Sequence, residues 1–178
     1  MKLDKFLKEH SDTIAENWLD QTFKTYPIDT VGFMRGKSNE FDNPVGTRTR
    51  QAIKSIAKAL TDDSISLDEV KDHVDTLIRL RAVQDFTPAR AVGIFYLLKP
   101  IVRGLVEKHK ERDLYRDLLL FESKIDSLAL IAFDVYTECR DKIFSMRVDE
   151  IKHRHANLLR KARMVCDDQA EEPDTPPT

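Results

Sequence analysis

Residues 112–139 read RDLYRDLLLFESKIDSLALIAFDVYTEC, and this stretch decides the fold. Neither glycine nor proline interrupts the chain from Arg112 to Ala170, so one helix can continue through all of it. Apolar residues recur alternately four and three positions apart, which predicts a seam that packs against another helix. The seam consists of Leu114, Leu118, Phe121, Ile125, Leu128, Ala132, Val135 and Cys139.

A second apolar stripe continues on a shifted face of the same helix. It consists of Phe144, Val148, Ile151, His155, Leu158, Ala162 and Val165. An unbroken helix here would contain on the order of 50 residues and extend about 75 Å at 1.5 Å per residue. Because a domain of this size is narrower, part of the helix must protrude, bend back or pair with a partner. Pairing covers the second stripe most readily, so we expect a homodimer, in which the two chains could pack parallel or antiparallel. The candidate residues of the dimer seam are Leu118, Phe121, Ile125, Leu128 and Val135.

Four shorter helices are predicted before this long one. The first runs from about residue 2 to residue 24, because Leu3, Phe6, Leu7, His10, Ile14 and Trp18 recur at helical spacing. Tyr26-Pro27 ends it, and a loop is expected up to residue 43. Asn43-Pro44 is a helix start of the cap-then-proline type, and Ser66–Glu69 forms a capping box that opens the third helix.

The fourth helix is the most apolar and is expected at the centre of the domain. Thr87-Pro88 starts it, with the threonine as the N-cap and the proline in the first turn. Apolar residues between positions 91 and 106 occupy more than one helix face, which is typical of a buried helix. Pro100 should kink this helix, because proline removes a backbone donor and clashes with the preceding turn.

The composition predicts one all-α domain at residues 1–166, followed by a disordered acidic tail at residues 167–178. The chain has 178 residues, of which 41% are hydrophobic, 34% are charged and only 5 are glycine. A net charge of −2 gives no global attraction to nucleic acid. The N-terminus lacks a signal-peptide core, no apolar run is long enough to insert into a membrane, and the two cysteines lie far apart. We therefore expect a cytoplasmic protein.

The sequence contains no pattern that indicates an enzyme, a metal site or a cofactor. It has no glycine-rich phosphate loop, nucleophile elbow or metal-ligand helix motif. Three alternatives stay open. His10 or His73 could hold haem in a helical pocket, a small molecule could bind near the kinked helix, and Cys166 near the tail could act as a redox switch. Cys139 is expected to be a structural residue of the seam.

The segment with the most unusual chemistry is RLRAVQDFTP at residues 79–88. It places two arginines, an amide and a carboxylate at a junction between helices, so it is the candidate site for an anion, a small polar ligand or a partner protein. The candidate residues are Arg79, Arg81, Gln84 and Asp85. A corner held by an arginine–carboxylate pair explains the same residues without a ligand.

From residue 81 onward, this segment resembles the N-terminal domain of the RsbRD-type stressosome regulators. The resemblance rests on RAVQDFTP at residues 81–88, with Ala91-Val92 and Leu97-Leu98-Lys99 after it. Residues 41–46, FDNPVG, and residues 133–136, FDVY, also match the pattern of that family. The resemblance extends from about residue 6 to residue 160.

The resemblance implies a bacterial signalling input domain in which a helical sensor dimer acts on an output domain through a long helix. Related RsbR sensor domains have a globin-like fold and bind no haem, so a globin-like bundle with a long C-terminal helix is expected here. A STAS domain follows the connector in stressosome proteins, whereas this sequence ends after a short tail. We therefore expect a stand-alone, non-enzymatic regulatory domain that acts on an unidentified regulatory protein.

Overall fold

The computed structural model describes residues 2–36, 41–61, 67–110 and 114–169, and all regular structure within them is helical. The helices in chain order are α1 (Lys2–Glu9), α2 (Ser11–Phe23), α3 (Ile28–Arg35), α4 (Pro44–Thr61), α5 (Leu67–Val83), α6 (Pro88–Val92), a 3-10 helix (Phe95–Leu97), α7 (Leu98–Lys108) and α8 (Tyr115–Gln169). The prediction of an all-α fold with a long C-terminal helix is confirmed. The globin-like arrangement stays a prediction.

Two compact units divide the chain, Met1–Arg140 and Asp141–Thr178. In the first unit α4 packs against α2 and α5, and α2 packs against α7. Trp18 lies at the centre of this packing, fully buried, and its Nε1 donates a hydrogen bond of 2.7 Å to the Ile94 carbonyl. The only tryptophan therefore contributes its whole apolar area to the core without leaving a polar atom unsatisfied.

The second unit contains the C-terminal part of α8. The described side chains from Asp141 to Arg163 are exposed or half-exposed, including the large apolar ones. The side chain of Cys166 and residues 170–178 lie outside the described part of the chain, so the redox switch and the disordered tail stay predictions.

The dimer seam expected from the sequence requires a correction, because the first unit covers most of it with its own helices. Leu118, Phe121, Ile125 and Leu128 are only 3, 4, 0 and 5% exposed, and Val135 is half-buried. The 4-3 spacing correctly indicated a packed face of α8. Burial within the chain leaves the four core side chains almost no area for a second copy to cover, so a dimer needs a different surface.

Three helix boundaries differ from the sequence prediction. The predicted first helix is two helices, because the backbone leaves helical geometry at His10 (φ −108°, ψ 10°). Helix α3 lies where a loop was predicted. The predicted fourth helix is divided into α6, the 3-10 helix and α7, and Pro100 lies in the first turn of α7, where its missing N–H breaks no helical hydrogen bond.

Candidate functional site at the corner between α5 and α6

A Schellman turn at the end of α5 builds the corner. The Phe86 N–H donates to the Arg81 carbonyl at 3.3 Å, and the Asp85 N–H donates to the Ala82 carbonyl at 3.4 Å. Asp85 occupies the position where glycine is usual and has a left-handed φ of 57°. This turn reverses the chain so that Phe86 lies beside Arg81, one helical turn back.

Arg81 is a fully buried cation held between aromatic rings. Its Cζ lies 4.0 Å from the centre of the Phe86 ring and 5.4 Å from that of Tyr26. Its Nη2 donates to Thr25 Oγ1 at 3.0 Å and to the Arg90 carbonyl at 2.8 Å. The guanidinium thus ties α5 to the segment after α2 and to α6, using both its flat face and its donors.

The guanidinium of Arg81 is only partly satisfied. Its Nε and Nη1 have no hydrogen-bond partner, and no carboxylate pairs with it in the part of the chain that the structure describes. Burial lowers the pKa of Arg81 to about 10, against the opposing effect of the Tyr26 hydroxyl. The side chain is therefore still cationic at neutral pH, and a buried cation without a counter-charge favours the approach of an anion.

A cleft of about 270 Å³ opens beside this corner. It is lined by Tyr26, Pro27, Thr30, Gln84, Asp85, Phe86 and Arg90. The Tyr26 hydroxyl donates a hydrogen bond of 3.0 Å to Gln84 Oε1, and burial raises the pKa of Tyr26, so the phenol keeps its proton. The rings of Tyr26 and Phe86 are therefore shared between the cleft wall and the packing around Arg81.

Two side chains of α8 hold the corner from the other side. The Tyr136 hydroxyl donates a buried hydrogen bond of 2.6 Å to the Phe86 carbonyl. Arg140 Nη1 donates to Asp85 Oδ1 at 2.7 Å and to the Ala82 carbonyl at 3.3 Å. The corner is therefore hydrogen-bonded to α8 at the end of the first unit.

The structure brings together three of the four candidate residues in this segment. Arg81, Gln84 and Asp85 lie at the corner, whereas Arg79 pairs with Asp75 at 2.6 Å and lines a different cleft. Sequence reasoning missed the contributions of Tyr26, Arg90, Tyr136 and Arg140. These residues come from distant parts of the chain, and no spacing rule connects them to residues 81–86.

The other candidate side chains lie apart from this corner. His10 stacks on Phe6 and contacts His109 with ring centres 4.6 Å apart, and its Nδ1 is hydrogen-bonded to the Phe6 carbonyl. His73 is half-buried on α5, and Cys139 is a buried free thiol. Within the described residues, no group of three or more histidine, cysteine, aspartate or glutamate side chains is placed to hold a metal ion. None of the described helices has the length and hydropathy to span a bilayer.

The fold and the corner define an all-helical domain whose loop between two helices is fastened to a long C-terminal helix. The chain belongs to the family of the RsbT co-antagonist protein rsbRD N-terminal domain, whose model matches residues 12–151. This is a family of regulatory domains of stress signalling and not a known catalytic family. The family match confirms the resemblance carried by the RAVQDFTP segment.

A relative from Archaeoglobus fulgidus, described only as an uncharacterized protein, is 26% identical over 154 residues. The aligned region covers 83% of this chain and 88% of the relative, so the two share nearly their whole length. No solved structure matches the chain significantly.

Proposed function

We propose that the protein is a non-enzymatic, homodimeric input domain of a bacterial-type stress-response pathway and acts in the cytoplasm by contacting a regulatory protein. The observation that carries this proposal is the attachment of the corner to α8 through Tyr136 and Arg140. A change at the corner would reach α8 through two direct hydrogen-bonded contacts. The exposed part of α8 in the second unit is then the output surface.

An exposed apolar face on α8 in the first unit supports the homodimer. Leu119, Leu130 and Phe133 are 66, 67 and 49% exposed. Their separations of 11 and 3 residues place them on one side of a helix with 3.6 residues per turn. Two copies related by a two-fold axis would cover this face with itself, and burying each large apolar side chain contributes roughly 1.5–3 kcal/mol.

Light scattering coupled to size-exclusion chromatography tests the homodimer. The native chain should elute at twice the mass of one chain, and Leu130→Asp/Phe133→Asp should elute as a folded monomer, with folding checked by circular dichroism. Lys54→Asp, at an exposed position of α4, is the matched control and should stay dimeric. A native monomer at 100 µM, or a double variant that stays dimeric, contradicts the proposed dimer.

A second candidate function is a small-molecule sensor that takes a compact oxyanion at the corner. Arg81 and Arg90 have no carboxylate partner among the described residues, whereas Asp85 is paired with Arg140. Arg90 is therefore the cation in the cleft lining that has no carboxylate partner in the described part of the chain, whereas Arg81 is fully buried and does not line the cleft. The cleft volume of about 270 Å³ leaves room for a compact oxyanion.

Thermal unfolding in sodium phosphate, in sodium acetate and in sodium chloride of matched ionic strength tests the sensor. A specific oxyanion site predicts a saturable rise in Tm that is lost in Arg90→Gln and kept in the control Arg50→Gln. An equal response in the three salts, or an unchanged response in Arg90→Gln, contradicts it. The haem-sensor and Cys166 redox-switch alternatives predict a Soret band and a reductant-sensitive covalent dimer, respectively.

A further inference from the structure

The C-terminal unit carries a regular apolar stripe whose described side chains are exposed or half-exposed. We name it the C-terminal stripe and define it as Phe144, Val148, Ile151, His155, Leu158 and Ala162. The spacing of these residues alternates four and three, which is the repeat of a helix that packs along another helix. Phe144, Ile151 and Leu158 are 68, 54 and 65% exposed. A face of this kind marks a site for a partner helix.

The charges beside the stripe indicate which helix fits. With Val148, His155 and Ala162 at heptad position a, and Phe144, Ile151 and Leu158 at position d, the flanking g and e positions are defined. The charged residues at these flanking positions are Arg147, Lys152, Arg154 and Lys161, and all four are basic and exposed. Flanking charges set partner choice and orientation in helix pairs, so the favoured partner carries acidic residues there.

A second copy of the chain is a poor occupant of this stripe. In a parallel pair Arg147 of one copy would face Lys152 of the other, and in an antiparallel pair the basic g positions would face each other. His155 and Ala162 also contribute little apolar area at the central a positions. The homodimer proposed above uses Leu119, Leu130 and Phe133 in the first unit, none of which belongs to the stripe, so separate variants can test the two surfaces.

A membrane surface fits the stripe less well than an acidic helix does. Asp149 and Glu150 lie among the basic residues, and Glu150 accepts a hydrogen bond from Arg154. These two carboxylates weaken attraction to anionic lipid, which depends on a polar face dominated by lysine and arginine. They lie away from the stripe at positions b and c and pair with two of the flanking bases, Asp149 with Lys152 at 3.9 Å and Glu150 with Arg154. Both pairs are exposed and therefore weak, so an acidic partner helix can compete for these bases.

We propose that the C-terminal stripe docks an amphipathic helix of a partner protein that carries glutamate or aspartate at its own flanking positions. This inference rests on the proposed function, since it assigns the surface through which the domain contacts its regulatory protein. The apolar stripe supplies the contact area, and the basic flanks select the partner by charge.

A pair of designed peptides tests the charge selection on the full chain. Both are fluorescein-labelled, 28-residue helices with leucine at every a and d position, one with glutamate at all e and g positions and the other with lysine there. Fluorescence anisotropy should show saturable binding of the glutamate peptide, at least about tenfold tighter than that of the lysine peptide. Equal affinities, or no binding of either peptide at 100 µM chain, would overturn the proposal.

Two matched double variants locate the binding surface. Arg154→Glu/Lys161→Glu changes two of the four basic flanking positions, leaves the flanks with no net charge, and should abolish the peptide preference. Arg160→Glu/Arg163→Glu makes the same change in net charge at outward positions f and b, and should leave the preference intact. Ile151→Asp/Leu158→Asp should abolish binding of both peptides. The proposal fails if the two charge-reversed variants behave alike.

Salt dependence and oligomeric state separate this inference from the proposed homodimer. Binding of the glutamate peptide should weaken between 50 and 500 mM NaCl, because salt screens the attraction between opposite charges. Pairing of two copies through their basic flanks would instead become stronger, because salt screens the repulsion between like charges. Ile151→Asp/Leu158→Asp should keep the mass of the native chain in light scattering. If the native chain is a dimer and this variant is a monomer, the stripe binds a second copy of the chain. That result would overturn the docking of a partner helix and leave the proposed homodimer standing. Binding to vesicles with 30% phosphatidylserine that exceeds binding to the glutamate peptide would also overturn it.

Discussion

Tyr136 on α8 donates a buried hydrogen bond of 2.6 Å to the backbone carbonyl of Phe86, 50 residues earlier in the chain. Phe86 is also the residue whose ring covers the guanidinium of Arg81 at 4.0 Å. One residue thus contacts the buried cation through its side chain and the long helix through its backbone. This arrangement physically connects the corner to α8.

Replacing Tyr136 with phenylalanine should loosen this connection at a measurable cost. The change removes one hydroxyl and leaves the buried Phe86 carbonyl without that donor, which costs about 2 kcal/mol. In a chain of this length that corresponds to a fall in Tm of about 4–8 °C. Tyr115→Phe, at a residue that is 44% exposed, is the control and should change stability by less than about 0.5 kcal/mol. Equal melting temperatures for the two variants would contradict the stabilising role of Tyr136.

Replacing Arg81 with lysine tests whether the corner needs the planar guanidinium or only a positive charge. Lysine keeps the charge but cannot stack on Phe86 while donating to both Thr25 and Arg90, so we expect a loss of about 2 kcal/mol. Arg79→Lys, whose side chain forms a partly exposed pair with Asp75, should lose less than about 0.5 kcal/mol. Chemical denaturation of both variants gives the comparison. An Arg81→Lys variant as stable as the native chain would show that charge alone suffices.

Local sequence signals predicted the corner better than they predicted its surroundings. Thr87-Pro88 starts α6 as expected, and Asn43-Pro44 starts α4, where the Asn43 side chain accepts a hydrogen bond of 2.8 Å from the Gly46 N–H. These starts depend on interactions within four residues. The contact between Tyr136 and Phe86 joins residues 50 positions apart in the chain, and no local pattern records it.

The ion pair between α7 and α8 makes stability depend on acid pH. Arg103 donates two hydrogen bonds to Glu122, at 2.5 and 2.6 Å, and this contact lowers the pKa of the Glu122 carboxyl below its usual range. A lowered pKa in the folded state contributes stability above the unfolded value of about 4.3, and the contribution is lost as pH falls through the folded value.

Glu122→Gln should therefore be less stable than the native chain at pH 7 and nearly equal to it at pH 3. We expect a difference of about 1 kcal/mol at pH 7, reduced from the value for a buried pair because Arg103 is 57% exposed. Melting curves at pH 7, 5, 4 and 3 measure it. Glu138→Gln, at an exposed position of α8, should show no comparable convergence. If the stability difference between Glu122→Gln and the native chain is the same at all four pH values, the ionised Glu122 carboxylate is not its source.

The seam of α8 shows where periodicity stops being informative. The 4-3 spacing of Leu118, Phe121, Ile125 and Leu128 predicts that this face is covered, and the face is covered. The same spacing cannot distinguish another chain from the helices of the first unit, because both present apolar side chains. Charge provides the missing information in the second unit, where basic residues on both sides of the stripe disfavour self-pairing.

Two substitutions of Asp85 isolate the cost of its left-handed backbone. Both variants lack the carboxylate, so its loss does not contribute to the difference between their stabilities. Asp85→Ala and Asp85→Gly both remove the pairing with Arg140, but only glycine adopts a φ of 57° without a steric penalty. The glycine variant should therefore be more stable than the alanine variant by about 1–2 kcal/mol. Denaturant unfolding of the two variants measures the difference directly.

Lys110 has the same φ of 57° after α7, so Lys110→Gly should be more stable than Lys110→Ala by a similar amount. If alanine and glycine are equivalent at position 85 but not at 110, the turn after α5 relaxes when the carboxylate is lost, and the side chain of Asp85, through Arg140, holds the corner in its observed conformation.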